Sequence, residues 1–113
     1  MKKLIILLLF IPLVSSGQNS YKVDKITDID YNDNVVFPEK KDFLDIYIPN
    51  GEENYPVIVY FHGGALIAGS KEMGKDIGEK LAKNGIGFVS ANYRLSPTAK
   101  YPDHLNDAQA ATD

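Results

Sequence analysis

Between Pro56 and Ala91 the chain runs from an apolar strand-like stretch into glycines, then into a four-residue apolar period, then into a second apolar stretch. Pro56-Val57-Ile58-Val59-Tyr60-Phe61 shows no alternation, the pattern of a strand covered on both faces. His62-Gly63-Gly64 interrupts it. From Lys71 to Lys83 the apolar residues Met73, Ile77 and Leu81 recur every four positions, one stripe of a helix. Asn84-Gly85 then supplies a left-handed stop, and Ile86 to Ala91 forms another buried strand. Strand, glycine turn, helix and strand in this order predict a right-handed βαβ crossover with parallel strands, and so an α/β fold.

The flanks extend this unit. Tyr21 to Tyr31 places Thr27, Ile29 and Tyr31 at period two, a half-exposed strand, and Asn32-Asp33-Asn34 is turn chemistry. Phe43 to Ile48 alternates again, with Leu44, Ile46 and Ile48 on one side and Asp45 and Tyr47 on the other, ending at Pro49-Asn50-Gly51. The loop between these strands has no room for a helix, so they are expected to pair antiparallel and to carry no chemistry. Asp103, after Pro102, is placed to cap a last helix with Leu105, Ala108 and Thr112 on one face. No stop signal accompanies Asp113, and the helix is expected to be cut short. The sequence shows no internal repeat.

The first 17 residues follow a different logic. Lys2 and Lys3 precede an apolar run of 11 residues, Leu4 to Val14, and Ser15-Ser16-Gly17 supplies small residues behind it. A membrane span needs about 20 apolar residues, so the expectation is a signal peptide cut between Gly17 and Gln18, with export to the periplasm or medium. Residues 18–113 then form the domain. The mature chain would hold 96 residues with a net charge of −5, against −3 for the whole. No membrane anchor is expected after cleavage. The absence of cysteine excludes disulfides, thiolate metal sites and thiol nucleophiles. With 12 basic against 15 acidic residues and no basic run, nucleic acid is not an expected partner.

The stretch Tyr60 to Lys71 carries the chemistry. Glycines behind a buried strand let the backbone turn sharply and present N–H groups outward, an anion site. Two anions fit, a phosphate or the oxyanion of acyl transfer. Gly64 and Gly69 match the outer glycines of G-x-x-x-x-G-K-[ST], but Ser70-Lys71 stands in reversed order, and the two side chains have separate tasks at fixed positions. No G-x-G-x-x-G is present. A non-catalytic binding module that holds an anion in this loop is the other alternative to an enzyme.

His62-Gly63-Gly64-Ala65 resembles the HGGG-type loop of α/β-hydrolase lipases and esterases. Asn92-Tyr93-Arg94-Leu95-Ser96-Pro97 and then Pro102 to Ala108, with Leu105 and Asp107, are similar to the hormone-sensitive-lipase and carboxylesterase branch. The resemblance spans Thr27 to Asp113 and implies the N-terminal portion of an α/β-hydrolase fold. It also implies a carboxylic-ester hydrolase with an acyl-serine intermediate, acting on a small-molecule ester without metal or organic cofactor. By position, the N–H groups of Gly64 and Ala65 would form the oxyanion hole, Gly63 would permit the turn, and His62 would steady the loop. Ala65 stands where the family usually has glycine, and Leu66 where it has an aromatic residue. Arg94 and Asp107 read as a structural pair, Tyr93 as packing, and His104 as a solvated helix residue.

The same resemblance demands a serine on G-x-S-x-G, an acid and a histidine, in that order. Ser20, Ser70, Ser90 and Ser96 all lie outside such an elbow. By family order the elbow follows the helix starting at Asp103, so nucleophile, acid and base are expected beyond this sequence. The chain alone is expected to be inactive.

Overall fold

The computed structural model describes residues 20–33 and 37–113. The expected signal segment and its expected cleavage point, Gly17–Gln18, lie outside them. Four strands, β1 (Lys22–Asp30), β2 (Phe43–Asn50), β3 (Val57–Phe61) and β4 (Gly87–Ala91), form one sheet in the order β1-β2-β4-β3. β1 pairs antiparallel with β2, β2 antiparallel with β4, and β3 parallel with β4. The α/β class and the antiparallel pair leading into a βαβ unit are as the sequence predicts.

Between β3 and β4 the chain makes a 3-10 turn, Lys71–Gly74, and then helix α1 (Lys75–Lys83). α1 closes on Gly85, at φ +82°, with Gly85 N–H donating to Ala82 O and Ile86 N–H to Leu81 O, both at 3.0 Å. This is the double closure that a left-handed glycine allows. The face that meets the sheet differs from the predicted stripe. Gly74, Gly78 and Ala82, also four apart, are buried, while of the predicted stripe Met73 and Ile77 are exposed and Leu81 packs half-buried against the core. A Cβ on Gly78 would stand 2.8 Å from both the Phe88 and Tyr47 rings, so the helix sits flat on those aromatics. Large side chains on that face would lift it off. Tyr47, Ala82 and Phe88 form the core, and Tyr60 stacks on Phe88 with centroids 5.6 Å apart.

β3 corrects a second expectation. Val57, Ile58 and Val59 are 54%, 43% and 37% exposed rather than covered on both faces, because β3 is the sheet's edge. The equally apolar β4 lies between β2 and β3 and is buried. β1 departs from simple alternation as well. The register shifts between Ile26 and Ile29, and Asp28 takes φ 57° in the resulting bulge, so a period-two reading through Thr27 crosses an irregularity. Helix α2 (Asp103–Thr112) starts as predicted, but Asp103 is its first residue rather than its cap. The Asp103 carboxylate accepts the Lys100 N–H at 2.9 Å. Leu105 on the predicted apolar face is exposed, and the buried residue of α2 is Asp107. No described helix is long and apolar enough to cross a membrane.

Candidate active site

Residues 62–70 leave the end of β3 and return to the 3-10 turn at Lys71, forming a loop over the C-terminal ends of the parallel strands. Gly64 lies at φ +122°, where side chains rarely go, and a Cβ there would run into the Ala68 backbone. Its carbonyl oxygen accepts two N–H groups, from Ile67 at 3.0 Å and Ala68 at 3.1 Å. Ala65 and Leu66 follow at φ 54° and 63°, both left-handed despite carrying a Cβ. Such a conformation costs about 1–2 kcal/mol per residue. Among the described residues, the N–H groups of Gly64 and Ala65 donate to no protein acceptor.

Each end of the loop is held by buried side chains. His62 is 3% exposed, and its Nδ1–H donates to the Gly63 carbonyl at 2.7 Å. The imidazole lies flat on the Tyr93 ring, centroids 4.4 Å apart and planes 15° from parallel. The Tyr93 hydroxyl donates to the His62 carbonyl at 2.6 Å, so Tyr93 binds the loop as well as packing beneath it. Burial pushes the Tyr93 hydroxyl above its ordinary pKa, keeping it a donor. Gly69 closes against His62 and the Gly63 carbonyl, leaving no room for a Cβ. The Leu66 carbonyl accepts the Ser96 N–H at 2.7 Å, tying the loop to the segment after β4.

The other predicted residues separate into bound and unbound. Arg94 and Asp107 form a forked ion pair beside this segment. His104 is half-buried rather than solvated, with its ring edge toward Tyr93 at 6.4 Å. Its Nε2 stands 3.5 Å from Ser96 Oγ, too long to activate that hydroxyl, which lies 3.1 Å from the Ala99 carbonyl and donates there. Ser90 is fully buried and donates to the Lys71 carbonyl. Neither serine is a nucleophile in this geometry. An open hollow of about 600 Å³ adjoins the loop, lined by Phe61, His62, Leu66, Tyr93, Tyr101 and Leu105 among others. No cluster of metal-ligating side chains occurs among the described residues.

Lys71 is the residue that sequence reasoning missed: its place after Ser70 argued against a phosphate loop, and nothing assigned it another role. A phosphate-binding lysine points into the glycine loop, whereas Lys71 is 5% exposed and its ammonium sits 2.7 Å from Asp45 Oδ1 and 3.0 Å from Asp28 Oδ1. Burial works against its charge, but the hydrogen bonds it donates to Asp45 and Asp28 outweigh it and raise the pKa above the ordinary lysine value. β1 and β2 therefore do carry polar chemistry at the loop. The one available signal was Asp45 on the same side of β2 as Tyr47; its partner is 26 residues away in sequence.

The BD-FAE family model matches residues 44–113, from β2 through α2. The chain is 36% identical over 72 residues to tuliposide A-converting enzyme b1 of Tulipa gesneriana, covering 58% of this chain and 19% of that protein. It is 38% identical over 66 residues to a probable isoprenylcysteine alpha-carbonyl methylesterase of Oryza sativa subsp. japonica, covering 58% and 16% respectively. Among solved structures, a truncated carbohydrate esterase from gut microbiota superimposes with a TM-score of 0.68 at 30% identity, covering 84% of this chain and 33% of that one. The chain thus spans about a fifth or less of these two curated relatives. Mixed sheet, glycine loop, family match and structural likeness agree: the chain belongs to the BD-FAE family and is built on the α/β-hydrolase fold.

Proposed function

We propose that this chain supplies the oxyanion-binding part of an exported carboxylic-ester hydrolase that works through an acyl-serine intermediate. The observation that carries this reading is the pair of adjacent N–H groups, Gly64 and Ala65, left without protein acceptors on a loop clamped by His62 and Tyr93. A tetrahedral intermediate of ester hydrolysis places negative charge on the former carbonyl oxygen. Two fixed donors lower the cost of that charge without reorganising when it forms, each worth about 3 kcal/mol. Gly64 and Ala65 are the proposed donors, with His62 and Gly63 supporting the turn.

Serine, acid and histidine are assigned to sequence following Asp113, a reading supported by relatives several times longer than the matched region. The serine would attack the ester carbonyl, the histidine would take its proton and return it to the leaving alcohol, and water would release the acid. This needs no metal or organic cofactor. The apolar hollow beside Leu66 and Tyr101 supports a small ester as substrate over a polymer of nucleotides. Export rests on the lysine pair, apolar run and small residues of positions 1–17. The phosphate-binding alternative is weakened further because Lys71 is engaged by Asp45 and Asp28.

Hydrolysis of p-nitrophenyl acetate by the protein that the gene encodes tests this. Gly64→Ala forces a side chain into the Ala68 backbone at φ +122° and shifts both donors. It is expected to lower kcat by about 10²–10³-fold. Ala65→Gly keeps the N–H and is expected to retain activity. Full activity in Gly64→Ala would refute the oxyanion assignment.

A further inference from the structure

The glycine loop has two ends, and only the one at His62 belongs to the motif. We propose that Lys71, buried at the other end, is a positioning residue that sets the direction of the Gly64 and Ala65 N–H groups through its ion pairs with Asp45 and Asp28. This rests on the oxyanion reading above.

Lys71 is fixed by both its side chain and its backbone. Its ammonium contacts Asp45 at 2.7 Å on β2, Asp28 at 3.0 Å in the β1 bulge and Glu72 at 3.3 Å. Its backbone N–H donates to Asn92 Oδ1 at 2.7 Å, and its carbonyl accepts the Ser90 hydroxyl at 2.7 Å. Asn92 in turn donates from Nδ2 to the Lys40 carbonyl at 2.9 Å. Asp45 Oδ1 also accepts the Asp28 N–H at 3.0 Å, which holds the bulge in its left-handed turn. One short stretch at the end of β4 therefore grips the loop twice. Ser90 and Asn92 hold Lys71, and Tyr93 holds His62.

Between these grips lie Ala65 and Leu66, left-handed and exposed, with no burial of their own to offset the strain. A loop of this kind keeps such angles only when its surroundings over-determine them, here its two ends and the Ser96 N–H on the Leu66 carbonyl. The identity of the far anchor points the same way. A lysine at 5% exposure is costly to desolvate, and a well-packed apolar side chain commonly serves stability as well or better. A charged pair adds direction: three carboxylates from two strands and the adjacent residue fix where the Lys71 backbone must lie.

The test uses the protein that the gene encodes, with hydrogen-exchange mass spectrometry on the peptide spanning residues 62–71 beside steady-state ester hydrolysis. In Lys71→Met the loop peptide is expected to exchange at least about 10-fold faster at unchanged protection of β2 and β4, since strained loops open locally. kcat is expected to fall about 10²-fold, as for a misplaced catalytic group, with KM within about twofold. Lys71→Arg, which keeps the charge, is expected to restore most of the loop protection. Should Lys71→Met fail to fold, Lys71→Met/Asp45→Asn removes the orphaned charge and carries the same expectations. Unchanged loop exchange, exchange that rises equally in β2 and β4, or loss of folding in both variants would assign the pair to stability alone and overturn the proposal. Exchange is readable whether or not esters are cleaved, so a protein without esterase activity would sink the oxyanion reading and leave this anchoring measurement standing by itself.

Discussion

The Arg94 guanidinium grips Asp107 side-on, with Nη2 donating to Oδ1 at 2.7 Å and Nε to Oδ2 at 3.0 Å. The Arg94 backbone N–H donates to the same carboxylate at 2.9 Å, and the guanidinium lies 4.3 Å over the Phe37 ring. This fork joins α2 to the segment after β4, so it orients the last described element of the chain. Asp107 is 2% exposed, whereas the Arg94 side chain is 27% exposed. The two partners are therefore unequal. Arg94→Met strands a buried carboxylate and is expected to cost about 3 kcal/mol. Asp107→Ala leaves a cation that reaches water and an unpaired N–H, and is expected to cost about 1–2 kcal/mol. Urea unfolding of the two variants, with m values compared, checks the order.

Tyr47 is fully buried in the core, and among the described residues its hydroxyl has no hydrogen-bond partner. Burial, reinforced by Asp45, pushes its pKa up to about 12. An unsatisfied buried hydroxyl carries a desolvation penalty with no return. Tyr47→Phe keeps the ring against Phe88 and is expected to be neutral or to stabilise by about 1 kcal/mol. A loss of more than that in thermal unfolding would mean that the hydroxyl has a role the fold does not reveal.

Gly78 is a helix-interior glycine, where alanine normally gains about 1 kcal/mol. Here the added methyl would stand 2.8 Å from Phe88 and Tyr47 ring atoms, which are packed and cannot yield cheaply. Gly78→Ala is expected to destabilise by about 1–3 kcal/mol, the usual cost of overpacking. Ala82→Gly on the same face, by contrast, costs only propensity and a small void. Paired melting curves separate the two effects.

The Lys71 cluster sets a pH signature. Asp28 is held below its ordinary value chiefly by the hydrogen bond from Lys71, then by Lys40, and Glu72 is lowered chiefly by Ser70. A depressed carboxylate contributes stability above its unfolded pKa and loses it as pH falls through the folded value. The raised Lys71 acts in the opposite sense, contributing fully below its unfolded pKa near ~10.4 and losing that as pH rises through its folded value. Stability from this cluster is thus expected to be flat from about pH 5 to about pH 10 and to fall on both sides. In Lys71→Met the alkaline limb should vanish and the acid limb should become shallower. Melting temperature against pH for both proteins is the measurement.

The chain on its own is expected to cleave no ester and to associate through β3. Its edge presents Val57, Ile58 and Val59, exposed, with backbone groups beside them that no described strand pairs. Such an edge recruits another strand. Light scattering of the 113-residue chain is expected to show species larger than a monomer, reduced by Val57→Lys/Val59→Lys. p-Nitrophenyl acetate turnover above a heat-killed control would contradict the inactive half of this expectation.

The sequence by itself determined the local elements and their order. A run without alternation, two glycines, a four-residue period and a second apolar run specify strand, turn, helix and strand, because each pattern follows from backbone geometry over a few residues. His62-Gly63-Gly64 marked the loop for the same reason: only glycine reaches the angles that Gly64 adopts. Burial was another matter. Pro56–Phe61 and Ile86–Ala91 read alike, yet one is an edge and the other central, since the place of a strand in a sheet depends on partners far along the chain. The stripe of α1 shifted from Met73 and Ile77 to Gly74, Gly78 and Ala82 because the Tyr47 and Phe88 rings already occupy the interface. The anchoring of the loop was legible at His62 and hidden at Lys71. His62 acts on its neighbour Gly63, but the partners of Lys71 are Asp45, Asp28 and Asn92, brought to it from three strand ends only when the sheet assembles.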